Sequence, residues 1–101
     1  MTITPKTPPD INYVTPDQFP NDYAVWGDEG FERINKLLDN AVNLISTKSK
    51  SAVIDYAGLS KIESKKDKPV VFINCKNLDR YYINEQNIIN GELPKLMKSS
   101  L

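Results

Sequence analysis

Apolar residues between positions 28 and 47 (DEGFERINKLLDNAVNLIST) recur at about 100° per residue, the period of an α-helix. Phe31, Ile34, Leu37, Leu38, Ala41, Val42, Leu44 and Ile45 fall on one arc, and Glu32, Arg33, Asn35, Lys36, Asp39, Asn40, Asn43 and Ser46 fill the rest. The pattern predicts one long amphipathic helix. Gly27 or Asp28 is placed to cap it, and Asp28, Glu29 and Glu32 set negative charge against the unpaired N–H groups of its first turn. With Gly27 as the cap, Trp26 and Phe31 occupy the two positions of a hydrophobic staple.

Downstream the period shortens to two, the alternation of a β-strand. SAVIDYA (51–57) places Ala52, Ile54 and Tyr56 on one side and Val53, Asp55 and Ala57 on the other. PVVFINC (69–75) is apolar on both faces over its first half, as an interior strand is, and Pro69 can begin such a strand but not sit inside it. RYYINEQ (80–86) puts Tyr81 and Ile83 together, and KNLD (76–79) fits a hairpin loop between the last two strands. The polar link GLSKIESKKDK (58–68) reads as a long hairpin tip, or as an arm with a bulge at Gly58. The end of the chain holds at most one short turn before Pro94 and then frays.

The expected fold is therefore α+β: one long amphipathic helix packed on a three-stranded, mainly antiparallel sheet, preceded by an extended proline-rich N-terminal arm. Residues 1–25 form the arm, 26–93 the domain and 94–101 the tail. A body of this size buries only about 60 per cent of its unfolded surface. One helix covers one sheet face. The other face, carrying Val70 and Phe72 with Val53 and Tyr82, needs a cover, which is either the arm or another molecule.

The arm is not composed like a solvated tail. Between Pro5, Pro8, Pro9, Pro16 and Pro20 it spaces Ile11, Tyr13, Val14, Phe19, Tyr23, Val25 and Trp26. Disordered segments are poor in such residues. Proline holds the chain extended and reduces the entropy lost when it docks. The arm reads as a pre-extended strap with apolar anchors, its first eight or so residues loose.

Composition narrows the chemistry. Thirteen basic residues balance thirteen acidic ones, so no net field steers the molecule to nucleic acid or to an anionic membrane. The longest apolar run, VVFI, is too short to span a bilayer, and no signal peptide is visible; with a single cysteine the expected location is cytoplasmic. Histidine is absent, which removes Ser–His–Asp and Cys–His catalysis and His-based zinc sites. Cys75 closes an apolar strand and reads as core; Asp55 reads as an exposed residue of a half-solvated face. No phosphate-binding glycine loop occurs, and no metal or organic cofactor is expected.

What remains is a protein that acts by binding, not an enzyme. In size and lack of catalytic equipment it resembles, as a class only, the small cytosolic immunity proteins, antitoxin-like inhibitors and defence antagonists of bacteria and phages. The expected protein-binding residues are Tyr13, Phe19, Tyr23 and Trp26 of the arm and Tyr81 and Tyr82 of the exposed sheet face, since aromatics dominate the centres of interfaces. Self-association, with two bare sheets covering each other in a C2 dimer, is the simplest version. The alternative is a nucleic-acid module in which Lys61, Lys65, Lys66 and Lys68 flank the sheet aromatics.

Overall fold

A computed structural model describes residues 10–48, 53–65, 67–76, 79–93 and 97–98 of the chain. The order is β1 (Asp10–Ile11), α1 (Pro20–Lys48), β2 (Ile54–Leu59), β3 (Val70–Cys75), β4 (Asp79–Asn84), α2 (Glu85–Asn90) and β5 (Met97–Lys98). The strands form one sheet in the order β1-β2-β3-β4-β5, antiparallel throughout except for the β1–β2 pair. The α+β expectation holds. Its three strands are β2, β3 and β4, and a two-residue strand is added at each edge. Within the expected tail, Met97 and Lys98 pair with Arg80 and Asp79, and residues 94–96 and 99–101 lie outside the described residues.

The core lies between α1 and one sheet face. Ile34, Leu37, Leu38, Ala41 and Ile45 of the helix meet Ile54, Ala57, Val71, Ile73, Tyr81 and Ile83 of the sheet. These are the helical arc and the strand alternation read from the sequence, with one difference. The register skips between Ile54 and Tyr56, where Asp55 has no partner on β3. This bulge lies three residues before Gly58, the position expected for it. It lets both Ile54 and Ala57 face the core, and it sends Tyr56 to the opposite face.

The arm is shorter than expected, because α1 begins at Pro20 rather than near residue 28. Proline suits a first helical position, where its missing N–H and fixed φ are no loss. Gly27 interrupts the helix with φ 70° and ψ −177°, a conformation open almost only to glycine. Residues 20–26 therefore form a separate helical segment set at an angle to residues 28–48. The break also replaces the expected staple. Tyr23, not Trp26, packs edge-on against Phe31 at 5.4 Å, while Trp26 lies so close over Gly30 that a Cβ there would meet Trp26 Cβ at 2.7 Å.

Before the helix, the arm runs from the sheet edge to the helix surface. Asp10 and Ile11 pair with Tyr56 and Ala57, and Asn12 N–H donates to the Ala57 carbonyl at 2.8 Å. The chain then crosses α1, where Asn35 grips the backbone of Val14 from both sides. Val14 N–H donates to Asn35 Oδ1 at 2.8 Å, and Asn35 Nδ2 donates to the Val14 carbonyl at 3.0 Å. With its own polar groups paired, Val14 is only 2% exposed. From Asp10 onward the strap thus lies on the sheet edge and the helix, not over the opposite sheet face; the first nine residues, expected to be loose at their start, lie outside the described residues.

At the far end of the sheet, α2 is capped on both sides. Asn84 and Asn87 form a reciprocal capping box, and Gly91 closes the helix in the left-handed region. Arg33 ties α2 to α1 through two bonds to Glu85, at 2.6 and 3.2 Å, and donates a third to the Asp67 carbonyl at 3.1 Å.

Asn35→Ala should cost about 2 kcal/mol in urea unfolding, because it strands two backbone groups that water reaches poorly. Amide exchange should accelerate at residues 12–14 before it does in β3. Gly27→Ala should cost on the order of 1–3 kcal/mol by the same measurement, since alanine is strained at this φ and ψ.

Candidate functional site

The face of the sheet turned away from α1 is built by alternation. Register sets Tyr56 beside Asn74 and Arg80, Gly58 beside Phe72 and Tyr82, and Val70 beside Asn84. Tyr56 and Phe72 pack at 5.7 Å with their planes tilted by 37°. Gly58 forms the floor under them. A Cβ there would meet Phe72 Cζ at 3.2 Å and Tyr56 Cε2 at 3.5 Å, so the missing side chain is what lets the Phe72 ring lie flat.

Arg80 lies across this aromatic floor. Its guanidinium sits 4.9 Å from the Phe72 ring centre and 6.0 Å from that of Tyr82. Nε–H donates to Asn74 Oδ1 at 2.6 Å and Nη1–H to the Tyr82 hydroxyl at 3.3 Å. Stacking and two neutral bonds fix the cation in one orientation. Among the described residues no carboxylate pairs with it: the ion pairs are Arg33–Glu85, Lys61–Asp22 and Lys76–Asp55. Neighbouring Asp79 alternates to the core side, where it and, more strongly, burial raise the Cys75 thiol above its ordinary value. Cys75 is a buried core residue and disfavours the reactive thiolate. Asp55 is exposed on the bulge, 3.8 Å from Lys76.

The expected binding residues separate. Tyr82 is on the bare face, but Tyr81 is not: it is 8% exposed and packs in the core opposite Ile73. Adjacent strand residues point to opposite faces, so the two tyrosines cannot share one. Tyr23 and Trp26 of the first segment of α1, with Phe19 just before it, pack partly against the core, remote from the outer sheet face. Tyr13 stays more exposed and donates its hydroxyl to Asp39 on α1.

Of the expected lysines, Lys61 is drawn to the helix side: it pairs with Asp22 at 3.0 Å and lies 5.5 Å over the Phe19 ring. Lys65 and Lys68 bridge each other within a folded loop, and Lys66 lies outside the described residues. Ser64 holds this loop in place, its hydroxyl donating to the Val70 carbonyl and accepting from Val70 N–H. Residues that sequence reasoning passed over are Tyr56, Asn74 and Arg80. Alternation from Tyr82 points to Arg80, and the β3–β4 hairpin register then supplies Asn74. Tyr56 was hidden by the bulge.

No protein-family model matches this chain, and comparison with curated proteins and with solved structures likewise finds no match. Among the described residues no helix is long and apolar enough to cross a membrane.

Two phenols outside this face report the docking of the arm and of the first α1 segment. The hydrogen bond from Tyr13 to Asp39, with burial and the nearby charge, raises Tyr13 above the ordinary tyrosine value of about 10, and the 2.6 Å bond to Asp28 does the same for Tyr23. A raised folded value favours the protonated phenol. The stabilisation is therefore complete below pH about 10 and is lost as pH rises through the folded values. In a phenolate absorbance titration both should ionise late, and Asp39→Asn should return Tyr13 towards the ordinary value.

Proposed function

We propose that this protein acts without catalysis, by binding another protein through the outer face of its sheet, as a small cytoplasmic inhibitor or immunity-type protein of bacterial or phage origin. One observation carries the reading: a half-buried face made of Tyr56, Phe72, Tyr82 and a fixed arginine has no described part of the strap over it, since residues 10–19 lie on the sheet edge and the helix side. Aromatic and arginine side chains with their rotamers already fixed lose little entropy on docking and dominate interface energetics. The arm aromatics then serve mainly to complete the fold, and recognition falls to residues of β2, β3 and β4. The nucleic-acid alternative has less support, because Lys61 is engaged with Asp22 and the lysine loop folds towards α1.

Capture of a partner from the native host by the purified protein should fall by at least about tenfold in a Phe72→Ala/Tyr82→Ala variant, the loss expected when two interface anchors are truncated. Tyr13→Phe should leave capture unchanged. Thermal melting would check that both variants remain folded. Undiminished capture by the folded double variant would end the reading.

A further inference from the structure

Arg80 can only donate hydrogen bonds, and this settles the orientation of everything it touches. The Asn74 atom facing its Nε–H must be the amide oxygen, so the Asn74 NH₂ group points elsewhere. The Tyr82 oxygen accepts from Nη1, so its own hydrogen is available outward. Arg80 itself keeps N–H groups, those of Nη2 included, that have no partner among the described residues. The spare polar capacity around Arg80 is thus dominated by donors centred on one full positive charge, beside the apolar surface of Phe72 and Tyr56.

A chain folding for its own stability gains little from holding a guanidinium half-buried on rings with no carboxylate partner among the described residues. It would gain more from a carboxylate there, as it has at Arg33 with Glu85. On the Arg80 face the nearest carboxylate in the same register row is Asp10, three strands away across Tyr56 and Asn74, at a separation of about 14 Å. That is beyond a direct pair.

Deepening the binding reading above, on which it rests, we propose that the outer sheet face is a docking site for a carboxylate-bearing segment of a partner protein. An Asp or Glu of the partner is held by the free edge of the Arg80 guanidinium with help from Asn74 and Tyr82, and an adjacent aromatic or aliphatic side chain lies on Phe72 and Tyr56. The planar fork of arginine matches a carboxylate in two-point contact.

Other occupants fit less well. A nucleic acid needs several phosphates neutralised, and among the described residues this face offers one cation without a carboxylate partner, on a protein with no net charge. A second copy docked face to face about a two-fold axis would bring Arg80 towards its own equivalent without supplying a carboxylate inside the patch.

Nuclear magnetic resonance on the full chain tests this directly. The probes are N-acetyl-Glu-Phe-Glu-amide, its Gln-Phe-Gln counterpart and a hexathymidylate. The Glu peptide should shift the Arg80 Nε–H and the Phe72 and Tyr82 ring signals in a saturable way. The Gln peptide, and the Glu peptide acting on Arg80→Lys, should each bind about tenfold more weakly, since one lacks the anion and the other the fork. Equal binding of the two peptides to the wild-type protein, which involves no variant that might misfold, would overturn the proposal. So would tighter binding of the oligonucleotide, or the same shifts on raising protein concentration alone. If no probe moves these signals the carboxylate site is refuted, while the broader reading still stands or falls on capture by the Phe72/Tyr82 variant.

Discussion

A single helix can cover only one side of a sheet, and the rest of this molecule follows from that constraint. Ile34, Leu38, Ala41 and Ile45 are spent on the core side of β2, β3 and β4. They dictate which residues of each strand turn inward, and therefore which are left outside. Among the described residues one further segment is available as cover, residues 10–19 of the strap. They are committed to the helix by the Asn35–Val14 clamp and to the sheet edge by β1. With these residues used there, the described outer face packs on itself.

It does so by substituting a local cluster for a second layer. Phe72 lies on Gly58 and against Tyr56, and Arg80 lies on Phe72. A stacked pair of rings and a cation over a ring are each worth about 1 kcal/mol when partly exposed. That is modest beside the burial of a whole aliphatic layer, but it keeps the half-buried rings from being idle apolar surface. The arrangement also holds a charge in a fixed place, which a covering helix of leucines would not. Stability and recognition are drawn here from the same few side chains.

Much of this was legible in the sequence. The long helical arc, the interior character of VVFINC and the pairing of Tyr81 with Ile83 all express periodicities that burial enforces. Three things were not legible, each for a physical reason. The bulge at Asp55 reverses the alternation within β2, and only its partner strand defines it. The helical segment 20–26 follows four prolines and opens on a fifth, and the break at Gly27 makes it look like a continuation of the extended arm. Asn35, which reads as a solvated helix position, proved to hold the strap, because its value depends on a backbone 21 residues away in sequence. The face that carries Arg80 followed from alternation once the register was known; the grouping of Tyr81 with Tyr82 ignored that rule.

The margins of the sheet add one more consequence. Among the described residues both outermost strands are two residues long. The described part of each offers a short ladder of free main-chain groups, a length that natural sheets use to avoid growing into fibres. A visitor that would extend the sheet sideways gains little main-chain hydrogen bonding. One that lies down on the flat of the sheet meets rings and a guanidinium at once, so the geometry selects for association through side chains and against β-strand addition.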